Sequence, residues 1–87
     1  MAYQIIFAPA VRRALAKLPQ DLQGRIIRKI ESLAENPRPP GVEKLSGAED
    51  LYRVRTGEYR IVYSIEDRTV TVTIVRVGHR KDIYRKR

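Results

Sequence analysis

The fold is organised around residues 51–63, which read LYRVRTGEYRIVY. Two runs rich in aromatic and β-branched residues flank a polar break at residues 57–58, a pattern typical of two antiparallel strands joined by a tight turn. Because side chains alternate along a strand, Arg53 and Arg55 share one face, and Tyr52 takes the other. The stretch therefore predicts a hairpin that holds arginines on stiff, paired backbone, where a site can be positioned well.

The second strand of this hairpin carries a third arginine, Arg60, which alternates with Tyr59 and Ile61. Whether Arg60 lies beside Arg53 and Arg55 depends on the pairing register, because a shift of one residue turns every side chain of a strand to the other face. The sequence leaves that register open.

The residues before the hairpin predict one strand and two helices. Residues 3–7 read as a short strand, and apolar residues at helical spacing predict a first helix over residues 9–18. Pro19 interrupts the pattern, and a second helix is expected to begin at Gln20 or Asp21. This second helix has the strongest apolar stripe in the chain. The stripe consists of Leu22, Ile26, Ile30 and Leu33.

The remaining residues predict the rest of a sheet. The proline-rich run 36–41 ends the second helix, residues 42–50 predict a loop, and the alternating run 69–77 predicts a last strand. Strands joined by short turns should form an antiparallel meander. The expected architecture is α+β, with an N-terminal helical hairpin packed on an antiparallel sheet of about four strands, in one domain over residues 1–87. The expected core residues are Val54, Ile61, Tyr63, Val72 and Ile74.

Composition narrows the class of protein. Of the 87 residues, 43% are hydrophobic and 32% are charged, which indicates a folded domain. The formal net charge is +8, and a field of that sign attracts polyanions and acidic proteins. The chain has no cysteine, which excludes disulfides and thiolate metal sites. The N-terminal apolar run is too short for a signal peptide and no segment could span a bilayer, so we expect a soluble, intracellular protein without a membrane partner.

Several kinds of active site are disfavoured by the sequence. His79 is the only histidine and the carboxylates are scattered, so neither a metal nor another cofactor is expected. There is no Gly-x-Ser-x-Gly elbow and no phosphate-binding glycine loop of the Gly-x-x-x-x-Gly-Lys-Ser/Thr type. What remains is a set of arginines and tyrosines. Arginine offers a fixed fork of donors for phosphate oxygens and tyrosine can stack on an unpaired base, so this set would suit single-stranded RNA.

Five short segments, taken in order and at their spacings, carry a family resemblance. They are LSG (45–47), LYRVR (51–55), EYRIVY (58–63), VGHR (77–80) and DIY (82–84). Together with the two-helix start, they resemble the RelE/ParE toxin superfamily over nearly the whole chain. The resemblance implies a small antiparallel sheet packed on a helical hairpin. RelE-type members cut messenger RNA in the ribosomal A site without metal and are held inactive by an antitoxin. ParE-type members share the fold but inhibit DNA gyrase.

The resemblance also implies roles for individual residues. Arg53 and Arg55 match a basic pair at the RNA, where well-known members carry lysines, and Arg60 matches the arginine that holds the scissile phosphate. Arg80 matches an arginine assigned to the leaving group or transition state, and Tyr84 matches a tyrosine that stacks on the nucleotide. The expected catalytic set is Arg55, Arg60, His79, Arg80 and Tyr84. The expected RNA-binding set is Arg53, Arg55, Tyr52, Lys44 and Lys81.

The general base stays open between three residues. Arg55 is a poor base, because a guanidinium stays protonated in proteins. His79, with an unperturbed pKa near ~6.5, is the easiest proton carrier, and Glu43 is a weaker candidate by analogy with relatives that use a loop glutamate. Catalysis that is mainly electrostatic and positional is a further possibility.

Two classes of function, and a third simpler one, therefore follow from the sequence. The first is a ribosome-dependent endoribonuclease whose partners are the ribosome, mRNA and an acidic RelB-like antitoxin that folds on binding. The second is a ParE-like gyrase inhibitor without enzymatic activity, and the third is a plain RNA-binding module. Arg80 and Tyr84 beside the pair Arg53 and Arg55 favour the first, since a gyrase binder has no need of a phosphate-binding cluster near a stacking ring.

Overall fold

Two helices lie on one side of a sheet in the computed structural model, which describes residues 2–45 and 50–79. The elements follow one another as β1 (Gln4–Phe7), α1 (Pro9–Ala16), α2 (Gln20–Glu35), β2 (Glu43–Lys44), β3 (Leu51–Thr56), β4 (Tyr59–Glu66) and β5 (Thr71–His79). The two-layer α+β prediction is confirmed. None of the described helices is long and apolar enough to cross a membrane.

The sheet differs from the expected four-stranded meander in two respects. Its order is β1-β5-β4-β3-β2, and β1 pairs in parallel with β5, whereas the other neighbours are antiparallel. The meander rule applies to strands joined by short turns, but β1 is followed by the helices, so its direction is set by where they return the chain. The additional strand β2 has only two residues, which is too short to show a periodic pattern.

The predicted hairpin of β3 and β4 forms the middle of the sheet. Gly57 has a φ of 62°, a left-handed conformation that favours glycine at the first central position of a two-residue turn. The two flanking residues, Thr56 and Tyr59, are directly paired. The turn therefore sets the register of the hairpin.

The core lies between the sheet and the helices. The three main residues of the α2 stripe, Ile26, Ile30 and Leu33, are fully buried. α1 ends at Ala16, two residues before the predicted end, because the chain already turns ahead of Pro19. The predicted core residues are all at most 3% exposed. They are Val54, Ile61, Tyr63, Val72 and Ile74.

A β-bulge interrupts the pairing of β4 with β5. Tyr63 is paired with Ile74 and Val62 with Arg76, so Val75 is an extra residue on β5. Before the bulge, Ile74 points to the core, and after it Val77 does so. The bulge therefore reverses which alternate residues of β5 face the helices.

Polar contacts close the end of the sheet far from the Gly57 turn. Arg38, in the linker after α2, donates from its terminal nitrogen to Asp67 Oδ2 at 3.0 Å, and Tyr3 donates to Asp67 Oδ1 at 2.8 Å. The hydrogen bonds from Arg38 and then Tyr3 hold the pKa of Asp67 below its usual value. The Arg38 guanidinium also lies 5.3 Å from the ring centre of Tyr52. These contacts fasten the linker to the sheet.

Candidate functional site

The arginines of the hairpin lie on the face of the sheet that the helices leave uncovered, which we call the open face. Arg55 is paired directly with Arg60, and Arg53 is paired with Val62. Residues paired across a ladder share a face, so all three arginines point away from the helices. The register left open by the sequence thus brings them together, and we call Arg53, Arg55 and Arg60 the arginine cluster.

Arg60 is the least exposed member of the cluster. Only 9% of its surface is accessible, and among the residues described it is the one charged residue that is buried. Like charges directly opposite each other destabilise a sheet. The pairing of Arg60 with Arg55 therefore lowers the stability of the sheet. A site that binds anions accepts this cost, because it needs positive charges close together.

Glu43 borders the cluster on the neighbouring strand β2. It is paired with Arg53, whose Nε donates to Glu43 Oε1 at 3.0 Å. Arg53 lowers the pKa of the Glu43 carboxyl, mainly by this hydrogen bond, and the charges of Arg55 and Arg60 lower it further. Glu43 is therefore an ionised carboxylate at neutral pH and a weak base.

Two of the predicted RNA-binding residues lie off the open face. Tyr52 is paired with Tyr63 on the side of the helices, is 8% exposed, and stacks on that ring at 6.0 Å between centroids. It is part of the core and cannot meet RNA on the open face. Lys44 is paired with Tyr52, so it points to the same side at the edge of the sheet.

His79 is also separated from the arginine cluster. It is paired with Tyr59, and the two rings meet edge to face with centroids 5.5 Å apart. Together with Lys17 and Leu18 of the segment after α1, these rings line a surface cavity of about 260 Å³. The bulge at Val75 causes this placement, because the alternation that runs through Ile74 would have put residue 79 on the open face.

Three predicted site residues, Arg80, Lys81 and Tyr84, lie outside the described residues. One exposed cation that we did not single out from the sequence, Arg76, stands on the open face opposite Val62. Along β5 the apolar residues are two apart at Val72 and Ile74, adjacent at Ile74 and Val75, and two apart again at Val77. This change of phase is the signal that could have located the bulge and hence Arg76. Within residues 2–45 and 50–79, no three His, Cys, Asp or Glu side chains come together as metal ligands.

Comparison with known proteins shows the family of the chain. A family described as the ParE toxin of the type II toxin–antitoxin system parDE matches residues 5–84. The toxin RelG of Mycobacterium tuberculosis is 34% identical over 87 residues, covering 99% of this chain and 100% of that protein. The chain belongs to the RelE/ParE toxin superfamily. The mRNA interferase toxin RelE of Escherichia coli K12 is 31% identical over 83 residues, which are 93% of this chain and 86% of that toxin.

Solved structures of RelE toxins have the same fold. The archaeal RelE–RelB complex of Pyrococcus horikoshii superposes with a TM-score of 0.81 at 32% identity, over 92% of this chain and 97% of that chain. The isolated E. coli RelE toxin gives a TM-score of 0.78 at 29% identity, over 90% and 84% of the two chains. The mixed five-stranded sheet is thus the fold of RelE toxins, and the superfamily predicted from the sequence is confirmed.

Proposed function

We propose that this protein is the toxin of a type II toxin–antitoxin system and that it cleaves mRNA in the ribosomal A site without a metal ion. The observation that carries the proposal is the direct pairing of Arg55 with Arg60 on the open face, with Arg53 in the next row. The relatives named mRNA interferase RelE support it.

The chemistry follows from where charge develops during cleavage. The 2′-oxygen of the ribose attacks the adjacent phosphorus and the 5′-oxygen of the next nucleotide leaves, so a cyclic phosphate and a free 5′-hydroxyl result. Negative charge grows on the non-bridging oxygens and on the leaving oxygen. Arg60 supplies a two-pronged donor to the non-bridging oxygens, and Arg55 adds a second charge beside it. Donors preorganised in this way are each worth roughly 3–4 kcal/mol of barrier.

The described residues of this site offer no strong group for proton transfer. Arg55 does not give up its proton, Glu43 has a lowered pKa, and His79 lies on the side of the helices. Catalysis by the described residues is therefore electrostatic and positional. Arg80 at the leaving oxygen and Tyr84 on the nucleotide base complete the proposed site, as the family resemblance implies, and Lys81 adds to the RNA-binding charge.

The ribosome supplies the missing geometry. In-line attack needs the 2′-oxygen opposite the leaving oxygen, and positioning alone can lower a barrier by ~7 kcal/mol or more. A toxin without a strong acid–base pair depends on this contribution. It should therefore cut naked RNA poorly and mRNA on ribosomes efficiently, and its place of action is the cytoplasm.

The partner that controls the toxin is a RelB-like antitoxin. Several of the similar structures are complexes described as RelE–RelB or RelBE. A chain of net charge +8 with arginines on an uncovered sheet face should be neutralised by an acidic segment that folds on binding. Toxin and antitoxin then form a hetero-oligomer.

The test is in-vitro translation with the purified protein, followed by primer extension on the message. Discrete cuts at codons in the A site, with the same message left intact in the absence of ribosomes, are the expected result. The ParE family match makes gyrase inhibition the competing outcome. An intact message together with loss of supercoiling activity in a gyrase assay would replace the proposal by that function.

A further inference from the structure

The bulge in β5 changes the direction of one cation that the proposed mechanism does not use. If Val75 were paired with Val62 and no bulge were present, the alternation from Ile74 would pair Arg76 with Ile61 and point it into the core. With it, Arg76 is paired with Val62 and stands exposed on the open face. Bulges occur beside functional sites because they re-aim a side chain in this way.

Arg76 extends the arginine cluster across the sheet. Arg53, Val62 and Arg76 form one row over β3, β4 and β5, and the row beside it contains Arg55 and Arg60. Neighbouring strands lie about 4.8 Å apart, so the backbones of Arg53 and Arg76 are about 10 Å apart. The positive charge of the open face thus continues past Arg60 toward β5.

The two ends of this row differ in charge. Arg53 is neutralised by Glu43, with which it makes an ion pair. Arg76 makes no ion pair with a carboxylate in the described parts of the chain and is solvent-exposed. An anion that approaches the open face therefore meets an uncompensated charge at Arg76.

We propose that Arg76 is a positioning residue that binds a phosphodiester group of the mRNA, on the β5 side of the phosphate that is cut. The inference rests on the proposed function, because it assigns the path of the same RNA strand. A contact of this kind fixes the position of the RNA strand on the sheet. The phosphate that it binds is not the one that is cut, so no charge develops there during the reaction. It should affect how tightly the message is held and not the rate of the chemical step.

Single-turnover cleavage on programmed ribosomes, at a series of toxin concentrations, separates these two effects. Arg76→Ala should raise the half-saturating concentration about tenfold and leave the maximal rate within about twofold. Arg76→Lys should restore most of the binding, because a phosphate contact needs the charge more than the fork. Arg68→Ala is the matched control, since it removes an equal exposed charge at the β4–β5 turn, the other end of the sheet.

The salt dependence of RNA binding is a second test, because the loss of a merely structural residue would not change it. Binding to a short 2′-O-methyl RNA that cannot be cleaved should lose one phosphate contact in Arg76→Ala, and its log–log salt slope should fall by about 0.7. Binding to vacant ribosomes should be unaffected. A loss seen only with vacant ribosomes would assign the contact to ribosomal RNA and overturn the proposal.

The proposal also fails if Arg76→Ala behaves like Arg68→Ala in both assays. Its failure is distinguishable from failure of the proposed function. If the wild-type protein does not cut mRNA at all, the function is wrong, whereas normal wild-type cleavage with an unchanged Arg76→Ala variant removes only the role of Arg76.

Discussion

Arg55 and Arg60 face each other across the central hairpin, and Arg60 is almost buried there. Like charges at directly paired positions repel each other, so this pairing lowers the stability of the sheet. A phosphate bound at this pair would offset the repulsion between the two like charges. At the scale of single residues, the site is therefore an anion-binding arrangement that stability alone would not favour.

Arg60→Ala tests this interpretation. We expect cleavage on programmed ribosomes to fall by about two to three decades, because a preorganised donor to the developing charge is lost. Arg60→Lys should recover only part of the rate, since an ammonium cannot bind two oxygens in the same plane. Thermal melting should show a folded protein in both variants. Cleavage by Arg60→Ala at the wild-type rate would remove Arg60 from the active site.

Glu43→Gln distinguishes two roles of Glu43. It acts either as the general base or only as a negative charge that weakens RNA binding by the arginine cluster. The hydrogen bond from Arg53 lowers the pKa of the Glu43 carboxyl, so Glu43 is ionised at neutral pH. Its ion pair with Arg53 is lost only as the pH falls below the usual pKa of a glutamate. The substitution removes the negative charge that neutralises Arg53, and we expect RNA binding several-fold tighter with a cleavage rate within a few-fold of wild type. Glu66→Gln, which removes a carboxylate at the far end of β4, is the control.

A general base contributes about two to four decades in rate. A hundredfold or greater fall in the maximal cleavage rate of Glu43→Gln, at saturating toxin, would therefore identify Glu43 as the base. Catalysis would then no longer be mainly electrostatic and positional.

At the scale of elements, the linker between α2 and β2 depends on one buried hydrogen bond. Tyr63 is fully buried, and its hydroxyl donates to the carbonyl oxygen of Pro37 at 2.7 Å. Burial raises the pKa of Tyr63 above its usual range, so the hydroxyl stays protonated and remains a donor. β4 thereby holds the linker that follows the second helix.

Tyr63→Phe removes this donor and leaves the Pro37 carbonyl without it. We expect the free energy of unfolding to fall by about 1–3 kcal/mol, because an unsatisfied buried acceptor costs its full desolvation energy. Urea denaturation gives the value. Tyr59→Phe is the matched control, since Tyr59 is half-buried and its hydroxyl has no hydrogen bond to the described residues. Equal stability of the two variants would mean that the linker is held by other contacts.

At the scale of the whole molecule, the net charge of +8 and the uncovered sheet face act together. Charge of one sign steers an oppositely charged partner and raises the association rate. With an acidic RelB-like antitoxin, we expect the association rate constant to fall by at least tenfold as ionic strength rises from low to about molar. Stopped-flow mixing measures it. A rate constant that does not change with salt would contradict the electrostatic part of the proposed partnership.

The sequence determined the elements and the chemistry of this protein. The hairpin, both helices and the main core residues follow from local periodicity and turn residues, which are written in neighbouring positions. The nature of the site follows in the same way, since arginines at alternate positions on paired strands provide anion-binding groups wherever the sheet places them. The RelE/ParE family could likewise be recognised from short segments at their spacings.

Only the tertiary structure decided which of these groups meet. The register of β3 with β4 placed Arg60 opposite Arg55, and the bulge at Val75 turned His79 toward the helices and Arg76 toward the open face. Both depend on pairing between strands, where a slip or an insertion of one residue exchanges the two faces, so local periodicity cannot settle them. The parallel pairing of β1 with β5 could not be read from the sequence either, because it depends on where the packed helices return the chain.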